Sequence, residues 1–280
     1  MGVSSSKPRE IETKWFNDYE KTLPSLQGKN ICVTGCTTGT GYIVARTAVR
    51  KGAQNVFLLN RNSSRATQAE ESLKKEASNV SSTSNIITVP CDLQDFESVK
   101  TAISTIKSKV SSVHVLCNNA GVMALEDVAT KDGYDVQMQT NHLSHFLLTK
   151  ELYPLLKKAA EVNGEARVCN HSSEARKGKP LEKKYFQKEG GNLGGNGNSV
   201  ILRGARWVRY GQSKLANSVF SLCLAKRFEK VPGLKAVCAH PGVAATQLET
   251  TAAGTGGIGS GKLEEIHTPS FDVSPWVQFP

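Results

Sequence analysis

The stretch R209-Y-G-Q-S-K-L-A-N217 places a tyrosine and a lysine four residues apart. On a helix, residues at i and i+4 stack one above the other, so Tyr210 and Lys214 would share a side. A cation one turn from a phenol favours the phenolate, and such a pair could exchange protons with a bound oxygen. Leu215, Val219 and Leu222 recur at spacings of four and three and predict a core-facing stripe alongside. Beside such a stripe, a Tyr and a Lys can equally well do no more than snorkel to solvent. A second chemical signal is I31-C-V-T34 followed by G35-C-T-T-G-T-G41 and then a helical pattern. Strand, glycine turn and helix suit a pyrophosphate, because the backbone must come close and the helix N-terminus attracts anions. His142 and His145 stand three apart, as metal ligands can. No third ligand follows at suitable spacing, so both are expected to pack or hydrogen-bond, and no metal is expected. G256-G-I-G-S-G-K-L263 imitates a phosphate loop but carries Leu263 where Ser or Thr should hold magnesium, and no strand precedes it.

These residues need a scaffold, and the apolar runs supply one. V56-F-L-L59, I86-I-T-V89 and V113-H-V-L-C117 predict strands after I31-C-V-T34, with helices near 64–78 and 95–109 between them. Further strands are expected at R167-V-C-N170 and K235-A-V-C238, with long helices around 132–160 and 207–229. Strands alternating with helices of this length indicate an α/β fold: a single Rossmann-type, doubly wound parallel sheet with helices on both faces. The expected organisation is an N-terminal extension over 1–27, one nucleotide-binding catalytic domain over 28–246, and an irregular tail over 247–280. Residues 174–206, basic and then glycine-rich, read as a flexible insertion.

Composition limits the partners. With 39% hydrophobic and 21% charged residues in 280, the chain is an ordinary globular protein. Lys and Arg number 35 against 25 Asp and Glu, and much of the +10 excess falls between residues 176 and 209. That excess suits a phosphorylated cofactor or an anionic membrane. Without interleaved aromatics or a zinc motif, nucleic acid is not expected. Seven cysteines at irregular spacing do not form a disulfide framework and point to a reducing, cytoplasmic setting. M1-G-V-S-S-S6 fits the pattern for N-myristoylation at Gly2, with Lys7 and Arg9 behind it, so peripheral membrane contact is an expectation.

Taken together, the motifs resemble those of the short-chain dehydrogenases/reductases. T34-G-C-T-T-G-T-G41, N118-N-A-G121, N141-H-L-S-H-F-L-L-T149, R167-V-C-N-H-S-S173, Y210-G-Q-S-K214 and H240-P-G242 all fall in family order. Within the family the chain is most similar to the retinol-dehydrogenase-type branch. The resemblance implies a catalytic tetrad of Asn141, Ser173, Tyr210 and Lys214. In it, Lys214 lowers the Tyr210 hydroxyl and holds the nicotinamide ribose, Ser173 binds the substrate oxygen, and Asn141 fixes a relay water. The cofactor is expected on Gly35, Thr37, Thr38, Gly39, Thr40 and Gly41, with Asp92 and Leu93 at the adenine. Asn118, Ala120 and Gly121 are assigned to the adenosine ribose side, and Pro241, Gly242, Val243 and Thr246 to the nicotinamide. Asn60 and Arg61 end the second strand where a carboxylate would select NAD; an arginine there favours NADP(H), with Arg65 as a second phosphate contact.

The function implied is interconversion of a lipophilic aldehyde or ketone with its alcohol, in an enzyme that could form homo-oligomers. Two alternatives stand beside it. One is a double-bond reductase of the protochlorophyllide-reductase kind; the other is a catalytically idle, membrane-tethered NADP-binding protein.

Overall fold

A computed structural model of the protein describes residues 14–197 and 204–242. The apolar runs form strands β1 (Asn30–Thr34), β2 (Asn55–Asn60), β3 (Asn85–Pro90), β4 (Val115–Asn118), β5 (Ala166–His171) and β6 (Leu234–Ala239). They hydrogen-bond in the order β3-β2-β1-β4-β5-β6, every pair parallel. The direction of winding reverses between β1 and β4, and ligands of such sheets bind in the crevice at that point.

Side chains alternate across the sheet. Ile31, Val33, Val56 and Leu58 pack against Ala45, Ala48 and Leu73 of helices α2 (Gly39–Arg50) and α3 (Ser64–Asn79). Cys32, Phe57, Leu59 and Leu116 pack the other way, against Val99, Ile103, Leu148 and Leu152 of α4 (Phe96–Lys109) and α6 (Ser144–Asn163). Both faces of the central strands β1, β2 and β4 are therefore covered, and these read as continuous apolar runs because neither side meets water, whereas the edge strands β3 and β6 are partly exposed. At the opposite end of the sheet from the crevice, Asn30, Asn55 and Asn85 are register partners. Asn55 Nδ2 donates to Asn30 Oδ1 at 2.7 Å and Asn85 Nδ2 to Asn55 Oδ1 at 3.2 Å, which pins the register of three strands. Helix α1 (Lys14–Thr22) docks through Glu20, which accepts from Thr47 Oγ1 at 3.1 Å and pairs with Arg50 at 2.9 Å.

The helix expected from 132 starts at one turn, α5 (Val136–Met138), capped by Asp135, whose carboxylate accepts from the Gln137 and Met138 amides at 3.0 and 2.8 Å. A π-turn over Gln139–Leu143 then leads into α6. It aims Asn141 into the crevice.

Helix α7 (Ala205–Phe228) inverts the expected orientation. Val219 and Leu222 are 41% and 57% exposed, while Tyr210, Ser213, Lys214, Asn217 and Ser221 are buried. The inward face covers the end of β5, where polar side chains find partners. Asn217 Nδ2 donates to the His171 carbonyl at 3.0 Å and Asn170 Nδ2 to Ser221 Oγ at 2.9 Å. Buried polar groups of this kind are tolerated because they are satisfied.

Residues 174–197, the described part of the basic and glycine-rich insertion, are held to the body where composition suggested a flexible surface. Tyr185 and Leu193 are buried against Met138 and Ala216. Asp127 accepts from the Leu193 and Gly195 amides, both at 2.8 Å, and from Gly191 at 3.1 Å. Arg209, fully buried, donates to the carbonyls of Gly195 at 2.9 Å and Leu125 at 3.0 Å and lies 3.2 Å from Asp135. The glycines fold their amides around a carboxylate, a contact that composition does not reveal. Gly2, Val243, Thr246, residues 247–280 and the glycine-rich run 256–263 lie outside the described residues. Among the described residues no helix is long and apolar enough to cross a membrane.

Candidate active site

The glycine turn sits where β1, β2 and β4 end. Gly35 has φ +64°, and a Cβ there would come 2.7 Å from Ala120 Cβ; at Gly41 it would overlap the Asn119 amide and the Gly35 carbonyl. Only glycine fits at either position. Asn119 braces the turn, with Nδ2 donating to the Thr34 and Gly35 carbonyls at 3.0 and 3.1 Å and Oδ1 accepting from Thr40 Oγ1 at 2.8 Å. Gly39 opens α2, also with positive φ, and the Thr38 side chain makes no capping hydrogen bond to the helix. With Thr37 and Thr38 in front of an uncapped helix N-terminus and no Cβ in the way, the turn fits a pyrophosphate.

At the outer end of β2 and β3, Arg61, Arg65, Asp92, Ser63 and Ser98 line a cleft of about 420 Å³. Asn60 does not face it. Its Oδ1 accepts from the Cys36 amide at 2.9 Å, so its side chain stiffens the glycine turn instead of reaching for a ribose. Two other expected cofactor residues are likewise turned inward. Leu93 is buried in the core and its carbonyl accepts from Ser144 Oγ at 2.6 Å. Asn118 Nδ2 donates to Thr149 Oγ1 at 3.0 Å and Asn170 Oδ1 at 2.8 Å, tying β4 to α6 and β5. Asp92 lines the cleft, its Oδ1 accepting from the Gln94 amide at 3.0 Å.

At the inner end the structure brings Asn141, Ser173, Tyr210 and Lys214 together. Ser173 lies two residues past the end of β5, its Oγ accepting from the Ala175 amide at 3.2 Å; Ser172 turns away, donating to the Lys214 carbonyl at 2.8 Å. Lys214 is 3% exposed, its Nζ donating to the His171 carbonyl at 3.2 Å and lying 5.7 Å from the Tyr210 ring centre. Asn141 Nδ2 donates to Ser213 Oγ at 2.8 Å and to the Val122 carbonyl at 2.9 Å, and its Oδ1 accepts from the Val122 amide at 2.7 Å. Gly121 lies between: a Cβ there would be 3.2 Å from both Asn141 Oδ1 and Lys214 Nζ. Burial raises the Tyr210 hydroxyl above its usual value, opposed by the nearby Ser173 hydroxyl, and burial lowers Lys214 to about 8. The expected lowering of Tyr210 by its neighbour is therefore not seen in this state, because desolvation disfavours both charged forms.

Several participants other than the tetrad hold the site together. Thr34 Oγ1 accepts from the Asn119 and Ala120 amides, both at 3.0 Å, and meets His145 Nε2 at 2.9 Å, while His145 Nδ1 meets the Asn141 carbonyl at 3.0 Å. Burial lowers His145 to about 4, so it is neutral, with Nδ1–H donating to the carbonyl and Nε2 accepting from the threonine. His142 bonds Asn217 Oδ1 at 3.0 Å and lies edge-on to Phe186 and Phe220. The two histidines thus have separate partners, and among the described residues no group of His, Cys, Asp and Glu could hold a metal ion. Trp207, one turn before Tyr210, meets its ring edge-on at 5.9 Å and packs with Met123 and Ala124. Its three-residue spacing from Tyr210 was the available clue. His240 Nε2, 2.9 Å from Glu174, joins the ends of β5 and β6, and Pro241 and Gly242 follow it.

Comparison with known proteins shows the family. Residues 29–185 match the family model described as short chain dehydrogenase. An uncharacterized oxidoreductase of Schizosaccharomyces pombe is 40% identical over 238 residues, covering 84% of this chain and 65% of its own length. Retinol dehydrogenase 12 of Mus musculus is 33% identical, with 81% and 65% covered. The chain thus spans about two thirds of these relatives. A crystal structure of an uncharacterized Mycobacterium Paratuberculosis protein superposes with a TM-score of 0.63 at 31% identity, over 83% of this chain and 75% of that one. The order of the sheet, the glycine turn and the matched residues lead to one assignment: the chain belongs to the short-chain dehydrogenase/reductase family.

Proposed function

We propose that the protein is an NADP(H)-dependent oxidoreductase that interconverts a lipophilic aldehyde or ketone with its alcohol. The observation that carries this reading is the buried Lys214, its Nζ 5.7 Å from the Tyr210 ring centre, at the inner end of a crevice whose outer end holds Arg61 and Arg65. The turn from Gly35 to Gly41 takes the pyrophosphate. Arg61 and Arg65 take the 2′-phosphate that a carboxylate at the end of β2 would repel, and Asp92 lies at the adenine. The cofactor supplies the hydride.

The chain's own residues handle the proton. Ser173 holds the substrate oxygen and Tyr210 gives it the phenolic proton, so hydride and proton together convert the carbonyl to an alcohol. Lys214 stands over Gly121, where it would hold the nicotinamide ribose hydroxyls and would support reprotonation of Tyr210 through a water beside Asn141. Trp207, Met123 and Ala124 supply an apolar wall next to Tyr210, which is why a lipophilic carbonyl is preferred.

Tyr210→Phe tests the reading. Reduction of a lipophilic aldehyde should fall by at least about 10²-fold, as loss of a positioned proton donor does. NADPH binding, followed by its fluorescence, should stay near wild type. A variant that turns over at the wild-type rate would remove the proton-donor assignment.

A further inference from the structure

Cys36 and Cys117 are buried, and Cys169 half-buried, on the α2 side of the sheet. Cys117 and Cys169 are register partners in the parallel strands β4 and β5. Leu116 and Val168, one residue earlier on each strand, both enter the opposite core, so the two cysteines project from the same face. Adjacent strands lie about 4.8 Å apart, inside the 4.4–6.8 Å Cα separation that a disulfide requires. The next register pair is locked by the Asn118–Asn170 hydrogen bond at 2.8 Å, which holds the two thiols level. The neighbouring Cys117 thiol lowers Cys169 below the usual thiol range, and Cys169 together with burial raises Cys117 well above it. Cys36 has other partners, bonding the Val33 carbonyl at 3.5 Å and the Asn60 side chain.

We propose that Cys117 and Cys169 form a reversible dithiol/disulfide pair that responds to hydroperoxides and that its oxidation loosens the glycine turn. The Cys169 thiolate attacks the distal peroxide oxygen, breaking the O–O bond and releasing an alkoxide that takes up a proton as the alcohol. The resulting sulfenic acid is attacked by Cys117 sulfur, forming the S–S bond and expelling water, so two thiols lose two electrons to one peroxide. A disulfide most often sets its Cα atoms about 5.5–6 Å apart, wider than the roughly 4.8 Å between adjacent strands, so bridge formation spreads β4 and β5 at this rung. Three residues after Cys117 is Ala120, against which Gly35 fits with no room to spare, and two residues after it is Asn119, which braces Gly35 and Thr40. Movement there is transmitted to the turn that would cradle the pyrophosphate.

The test is peroxide treatment of the purified chain, tryptic mapping without reductant, and hydrogen exchange. The expected product joins peptide 110–131 to peptide 168–176 and disappears with dithiothreitol. Exchange of amides in 35–41 and 118–121 should rise on oxidation and return on reduction. NADPH affinity, which depends on the functional reading above, should fall roughly tenfold in parallel. Cys169→Ser and Cys117→Ala should each abolish the cross-link and the exchange change while leaving the reduced protein's exchange as in wild type. Unlinked peptides after oxidation, or a cross-link that leaves turn exchange unchanged, would overturn the proposal. Absence of NADPH binding to the reduced protein would instead count against the functional reading alone.

Discussion

Lys214 carries its ammonium on the His171 carbonyl with almost no exposure to water, and burial brings its pKa from 10.5 to about 8. Its folded value lies below its unfolded one, so between about pH 8 and 10.5 the unfolded chain binds more protons and this group's contribution to stability rises with pH. At pH 7 the cofactor-free protein must hold a desolvated charge. Lys214→Met should therefore stabilise the cofactor-free protein at pH 7 by roughly 1–3 kcal/mol while abolishing reduction, a trade common at active sites. Thermal unfolding without cofactor measures this, and a lowered Tm would show that the ammonium is net stabilising. Arg61 lies at the other end of the crevice, lining the outer cleft beside Arg65. Arg61→Ala should weaken NADPH by about 1.5–3 kcal/mol, the range for a hydrogen bond to a charged group, and NADH much less. Equal losses for the two cofactors would make Arg61 a surface residue. Asn60, next to it, shows why residue type alone misleads: an amide at the expected ribose position spends its acceptor on the Cys36 amide 24 residues away.

Helix α7 links the chemistry to the insertion, because Tyr210 and Lys214 share the helix with Arg209, which grips the glycine-rich loop. Arg209 lies between Asp127 and Asp135, and burial raises Asp135 to about 6 although Arg209 and two amides oppose this. Arg209→Met would leave two buried carboxylates without their cation. The expected cost is about 3–5 kcal/mol, read from urea unfolding. A loss below about 1 kcal/mol would mean that the amides of Gly191, Leu193 and Gly195 suffice to hold Asp127. This helix was also where periodicity misled. Leu215, Val219 and Leu222 are regularly spaced, but the face toward the sheet is polar because it meets β5's end and Asn141. Hydrophobic spacing cannot register a buried face made of satisfied polar groups.

For the whole molecule, the expectation that bears on location is acylation of Gly2, outside the described residues. If it is myristoylated, Gly2→Ala should release the chain from membranes in cells. Salt should release it as well, because one acyl chain gives an association constant of only about 10⁴ M⁻¹ and basic side chains must supplement it. Mass spectrometry of the N-terminal peptide checks this directly, and an unacylated Gly2 in cells with active myristoyltransferase would end it. The alternating architecture, the glycine turn and the Tyr210–Lys214 pair were all legible in the sequence. Parallel strands buried on both faces leave continuous apolar runs, Gly35 and Gly41 occupy sites where a Cβ cannot fit, and four residues make one helical turn whatever the surroundings. Tertiary structure alone decided that Asn118 joins Thr149 and Asn170, that Asp127 gathers the loop at 191–195, and that Cys117 lies level with Cys169. Each of these pairings spans about 30 to 70 residues of chain, and a hydrogen bond or a register is a property of two groups meeting in space, which no local pattern encodes.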